Sequence, residues 1–247
     1  MSGTVILGAT GAVGSCLARR LISSGERIFI AGRDAVRLGS LANELHCGAA
    51  LIETNDPQSI LDCFQEASGQ LGSITGTAHC VGSLLLKPAH STTLGEFSET
   101  LQTNLGSAFA TVKAATLALR VEGGSIVLIS SAAAGIGMAN HEAISAAKAG
   151  VEGLVRSAAA TYAPRRIRIN AVAPGLTKSN MTRHLWQNEQ QAASAEHLHA
   201  LGRLGEPDDI ASMIQWLLTE DNNWITGQVF GVDGGLSSVL VRPKFRM

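Results

Sequence analysis

A glycine-punctuated turn near the N-terminus constrains this chain more than any other feature. The apolar run 4–7 leads straight into Gly8-Ala9-Thr10-Gly11-Ala12-Val13-Gly14. Apolar residues then recur at Val13, Leu17 and Leu21 until Gly25. That spacing puts the three on one helix face, and the glycine stops the helix. The first unit is therefore a strand, a tight turn and a helix. Glycines let a backbone close up to a pyrophosphate, and a helix start offers free N–H groups and a positive dipole end. Gly8, Thr10, Gly11, Val13 and Gly14 are the candidate phosphate cradle.

The same alternation continues along the chain. Short apolar runs at 27–31, 49–52, 73–78, 125–129, 168–173 and 228–232 read as six more strands. Asn55-Asp56-Pro57 opens a helix with a cap and a proline in its first turn. A long helix is predicted over 94–119, and another over 140–163 that Pro164 stops. Glu206-Pro207 opens a late helix ending near Leu218. Strands alternating with helices imply a parallel sheet covered on both faces. At 247 residues the chain suits one domain, 1–247, with 176–205 as a polar, helical flap over a site.

Composition excludes several classes. Lys and Arg total 19 against 20 Asp and Glu, which speaks against a nucleic-acid partner. Charged residues make up 16 %, too few for a solvated, disordered chain. No apolar stretch of about 18 residues predicts a membrane span, and no leader pattern is visible. Cys16, Cys47, Cys63 and Cys80 contain no CxxC pair, so no metal site is expected. Scattered cysteines fit reduced residues in the cytoplasm.

The second strand ends in Ile30-Ala31-Gly32-Arg33. A fold that prefers NAD places a carboxylate here, on the ribose 2′-hydroxyl. A guanidinium instead suits a 2′-phosphate. Arg33 therefore predicts NADP(H) in preference to NAD(H).

Further motifs accompany these: Asn104, Ser130-Ser131, Lys148, Asn170-Ala171-Val172-Ala173-Pro174-Gly175, Gly202-Arg203-x-Gly205-x-Pro207 and Val232-Asp233-Gly234-Gly235. With Gly8-x-x-Gly11-x-x-Gly14 they make nearly the whole chain resemble the short-chain dehydrogenase/reductase family. The resemblance implies a single Rossmann-like, doubly wound α/β domain. Its seven parallel strands would run in the order 3-2-1-4-5-6-7, with helices on both faces. It also implies NAD(P)-dependent oxidoreduction of a small-molecule substrate, and a homotetramer or homodimer. Asn104, Ser131 and Lys148 then take catalytic places, with Lys148 also on the nicotinamide ribose hydroxyls. By motif, Pro174, Gly175 and Thr177 lie at the nicotinamide end, Glu53 near the adenine, and Ala78 and Gly82 along the cofactor.

Two departures stand out. The family's tyrosine belongs four residues before Lys148, and this chain has Ile144 there. Its single tyrosine, Tyr162, follows Lys148 by fourteen residues, roughly 21 Å along a helix. His79-Cys80-Val81-Gly82 stands where the family has Asn-Asn-Ala-Gly. His141, seven residues before Lys148, shares a helix face with Ile144 and Lys148 at that spacing. The enoyl-thioester reductase branch carries its tyrosine there; otherwise His141 reads as an exposed first-turn residue beside Glu142. Three readings follow: an NADPH-dependent ene reductase, a carbonyl reductase or alcohol dehydrogenase using His141, and a cofactor-binding protein without catalysis. In the flap, Lys178, Arg183, His184, His197, His199 and Arg203 either meet an anionic substrate or form a solvated face.

Overall fold

The computed structural model describes residues 2–119 and 123–240. Strand β1 (Ser2–Leu7) enters helix α1 (Ala12–Ser23), and β2 (Ile28–Gly32) enters α2 (Ala35–Leu45). β3 (Gly48–Leu51), α3 (Pro57–Leu71) and β4 (Ser73–His79) complete the first half. Then come α4 (Leu94–Leu101), α5 (Ser107–Ala118), β5 (Gly124–Ile129), α6 (Glu142–Tyr162) and β6 (Ile167–Pro174). α7 (Glu189–Leu198), α8 (Pro207–Leu218) and β7 (Val229–Val232) close the chain. All seven strands form one sheet in the order β3-β2-β1-β4-β5-β6-β7. Every pairing is parallel.

Period-two alternation explains the two apolar layers. Val5 and Leu7 face α3, α5 and α6 with Phe64, Ala115 and Val155. Ile6 faces α1, α2 and α8 with Leu17, Leu38 and Ile214. On the inner strands β1, β2, β4, β5 and β6 both faces are largely buried, so these read as short apolar runs rather than amphipathic ones, while the edge strands β3 and β7 are partly exposed.

Local chemistry sets the helix starts. Asp34 and Asp56 accept from the Arg37 and Gln58 backbone N–H groups, and Pro57 follows Asp56. Thr93 and Glu96 cap each other's backbone at α4.

The helix predicted over 94–119 is not uniform. Between α4 and α5 lies a π turn, Gln102–Gly106, that fits one extra residue into the spiral. The helix predicted from 140 starts at Glu142. Asn140 is left-handed, with φ 64°, and His141 is the non-helical N-cap. His141 therefore lies outside the helix whose face was to align it with Ile144 and Lys148.

Residues 176–205 hold α7 and a single turn, Arg183–Leu185. Their two ends are tied together. Lys178 N–H donates to the Gly205 carbonyl and Gly205 N–H to the Leu176 carbonyl, both at 2.9 Å. Among the described residues no helix is long and apolar enough to cross a membrane.

Candidate active site

The loops at the C-terminal ends of β1, β2, β4, β5 and β6 build the site, where open α/β sheets bind ligands. Gly8 has φ 76°, and a Cβ there would lie 2.7 Å from the Cys80 carbonyl. A Cβ on Gly14 would lie 2.4 Å from the Gly8 carbonyl oxygen. Both obstacles are backbone, so only glycine lets this loop fold so tightly. Gly11 is the N-cap of α1, and neither a capping side chain nor an acidic first turn competes for its N–H groups. Val13 packs inward against the core beneath that turn.

The loop after β2 closes over this cradle. Arg37 Nη2 donates to the Thr10 carbonyl at 2.6 Å. Arg33 is exposed and without a partner among the described residues. Two guanidiniums thus flank the cradle where the sequence singled out one. Arg37 was legible as the residue one helical turn past Arg33.

Deeper in, β4, β5 and α6 converge. Lys148 is buried in α6, and its Nζ donates to the Ile129 carbonyl at 2.8 Å. Burial pushes its pKa down from 10.5 to about 8. Asn104 is fully buried in the π turn. Its Nδ2 donates to Ser83 Oγ and to the Thr100 carbonyl, both at 3.0 Å, and its Oδ1 accepts from Ser83 N–H at 3.2 Å. Gly82 bridges the two: a Cβ there would lie 3.1 Å from Asn104 Oδ1 and 3.6 Å from Lys148 Nζ. Ser83 is the residue the sequence reading missed, and nothing but its place after Gly82 marks it.

Ser131 stands at the end of β5, partly exposed. Its Oγ accepts from Ala133 N–H at 3.2 Å, and its own proton is uncommitted among the described residues. Ser145 Oγ donates to the Ala133 carbonyl at 2.6 Å, which pins the Ser131 turn to α6. The structure thus gathers Gly82, Asn104 and Lys148 around one point and fixes Ser131 to the helix carrying Lys148.

The remaining residues separate. Ile144 is buried, at 3 % exposure, one turn before Lys148. His141 turns back on its own loop, Nδ1 on the Ala139 carbonyl at 2.7 Å. Ala78, expected along the cofactor, is fully buried inside β4 with Ile6 and Val127. It presents no surface to a ligand and instead forms part of the core under the site. Glu53 is exposed just past β3, its N–H donating to Ser59 Oγ. Pro174 and Gly175 end β6, and Thr177 is buried with its hydroxyl on the Gly175 carbonyl at 3.2 Å. His199, within 176–205, is also buried: Nε2 accepts from Leu176 N–H at 3.2 Å and Nδ1 donates to the Ala195 carbonyl at 2.8 Å. It ties the start of that segment to α7 rather than facing solvent. Tyr162 ends α6 under the Arg165 guanidinium, 5.2 Å from its ring centre. Among the described residues no His, Cys, Asp or Glu cluster suits a metal ion.

A family model described as "Enoyl-(Acyl carrier protein) reductase" matches residues 8–237. An uncharacterized oxidoreductase of Mycobacterium tuberculosis is 32 % identical over 244 residues, covering 95 % of this chain and 90 % of its own. The chain belongs to the short-chain dehydrogenase/reductase family. As such it is an NAD(P)-dependent oxidoreductase. A second short-chain relative, carbonyl reductase family member 4 of Danio rerio, is 32 % identical over 242 residues, covering 96 % of this chain and 98 % of its own. A solved short-chain type dehydrogenase/reductase from Mycobacterium ulcerans shares the fold, with a TM-score of 0.92 at 24 % identity over 96 % of this chain and 90 % of that one. The residues present fit a dinucleotide: a cradle that any Cβ would fill, an uncapped helix start and guanidiniums beside it.

Proposed function

We propose that the protein reduces a C=C bond conjugated to a carbonyl, with NADPH preferred over NADH. The observation that carries this reading is Ile144, a buried, apolar side chain where the family resemblance places a tyrosine. One helical turn on, Lys148 stays assembled with Gly82 and Asn104. Carbonyl reduction builds charge on oxygen and needs a positioned acid, worth roughly 10²–10⁴-fold. Conjugate reduction relaxes that demand. The bound cofactor supplies a hydride to the β-carbon, and the electron pair moves onto the carbonyl oxygen as an enolate. Solvent can protonate the α-carbon afterwards.

In this reading the chain's own groups stabilise the enolate and hold the cofactor. The Ser131 hydroxyl has a proton to donate to the oxygen. Lys148 supplies positive charge from a buried position and holds the ribose hydroxyls. Gly8, Gly11 and Gly14 take the pyrophosphate, and Pro174, Gly175 and Thr177 bound the nicotinamide end. Residues 176–205 act as the flap over the substrate. The description of the matching family model, an enoyl reductase, agrees with this chemistry.

A carbonyl reductase using His141 is the second reading, favoured by the name of the Danio rerio relative. The geometry speaks against it. A carbonyl oxygen only accepts, so the proton of a neutral His141 ring sits on Nδ1 toward Ala139. Nε2 then holds a lone pair and donates nothing until the ring is charged.

The test is turnover of enones and ketones with NADPH deuterated on its transferable hydride. Deuterium is expected on the β-carbon of the product. Deuterium on a carbinol carbon overturns the ene-reductase reading and installs the second.

A further inference from the structure

His79 is the strangest residue beside the site. It ends β4, three residues before Gly82, and is 1 % exposed. Its Nε2 lies 2.9 Å from Ser107 Oγ, and its Nδ1 has no partner among the described residues. Ser107 is also fully buried and opens α5, directly after the π turn that carries Asn104.

The direction of the bond follows from counting protons. A hydroxyl has one hydrogen, and Ser107 donates it to the Thr103 carbonyl at 2.6 Å. His79 Nε2 must therefore be the donor, and Nδ1 carries the lone pair. Burial pushes the ring's pKa down to about 3, and the charge of Lys148 adds to that. The neighbouring Cys80 thiol is pushed up to about 12 by burial, so it brings no negative charge that would favour a charged ring. A ring with its one proton committed to Ser107 and only 1 % of its surface exposed has no proton free to give to a substrate.

What it does is mechanical. A π turn is a rare, single-turn bulge within an α-helix, and such bulges are frequent at functional sites. This one is pinned by side-chain hydrogen bonds from outside the helix. The bonds come from the end of β4 and from the loop that follows it. Ser83 holds Asn104, and His79 holds Ser107, three residues on. Ser107 in turn holds Thr103, the residue before Asn104.

We propose that His79 is a positioning residue whose bond to Ser107 locks the π turn and so sets Asn104 against Gly82 and Lys148. This rests on reading Asn104 as a site residue, though not on which acceptor is reduced. A side chain that only filled space would stabilise the protein without dictating where Asn104 points.

The experiment uses the full chain with ¹⁵N-labelled histidine and asparagine, compared with His79→Leu and His79→Gln. Glutamine keeps a donor near the Nε2 position; leucine keeps only bulk. The wild-type His79 ring is expected to remain the neutral Nε2–H form from about pH 5 to 8. His79→Leu is expected to shift the Asn104 side-chain amide signals and cut turnover about tenfold. NADPH affinity, read by fluorescence titration, should stay within about twofold, and His79→Gln should restore the signals. Where His79→Leu does not fold, Ser107→Ala removes the acceptor and is read in the same way. A ring that titrates in that window, or carries its proton on Nδ1, overturns the proposal. So do unmoved Asn104 signals in a folded variant. None of these signals requires turnover, so a protein inactive on enones sinks the ene-reductase reading and leaves this one standing.

Discussion

Lys148 shows what a single buried charge costs and what it supplies. Its pKa of about 8 lies below the ordinary 10.5, so burial disfavours the charged form. Below about pH 8 the folded protein carries that penalty in full. Between about 8 and 10.5 the unfolded chain holds the proton and the folded chain does not, so stability rises with pH. The protonated form is the one that can donate to ribose hydroxyls and steady a developing enolate. Thus kcat/KM is expected to fall as pH rises through about 8 in wild type. Lys148→Met should abolish turnover and weaken NADPH binding while raising Tm. The shift from 10.5 to about 8 corresponds to about 3 kcal/mol. The Ile129 carbonyl left unpaired offsets about 1–3 kcal/mol of it, so the gain is small. Thermal melts that show Lys148→Met to be less stable would contradict this account of its burial.

At the scale of elements, the sequence was most readable where burial is two-sided. The inner strands β1, β2, β4, β5 and β6 were legible because a strand covered on both faces must be a short apolar run. The half-exposed edge strands β3 and β7 were legible from their place in the alternation with helices. The glycine turn was legible because its spacing is dictated by backbone collisions at Gly8 and Gly14. The π turn was not. α5 is buried on most of its sides and shows no single apolar face whose shift would betray the extra residue. The signature lies in hydrogen bonds between distant residues, His79 to Ser107 and Ser83 to Asn104. His141 was misplaced for the opposite reason: a spacing argument holds only inside a helix, and this helix begins one residue later. Ala78 was placed by motif on a surface that alternation along β4 turns into the core. The two turns at the ends of β1 and β2 act as one unit, since Arg37 reaches the Thr10 carbonyl across them. Arg33 is left free to meet a 2′-phosphate. Arg33→Ala is expected to erase most of the preference for NADPH over NADH, measured as the ratio of dissociation constants. Equal constants in the unmodified protein would defeat the assignment.

Family members usually assemble, and among the described residues two apolar surfaces are exposed that suit assembly. On α5, Phe109 is 60 % and Leu117 56 % exposed, eight residues apart on neighbouring rows of one helix. At the far side of the sheet, β7 is the edge strand and, among the described residues, pairs with β6 alone, so its outer edge is open to pairing. Trp216 packs edge-on against Phe230 of β7, and Trp224, five residues before that strand, is 97 % exposed. Patches of this kind rarely stay open to water in an isolated chain. Because the two surfaces lie on different elements, each can form its own two-fold contact, and two perpendicular two-folds close into a tetramer. Light scattering is expected to give four times the 25.7 kDa chain mass. Phe109→Glu places a charge in one contact and leaves the other intact, so the variant should halve to a dimer that still binds NADPH. A stable wild-type monomer at micromolar concentration would show that neither surface is an interface. A Phe109→Glu protein that stays tetrameric would remove α5 from the contact.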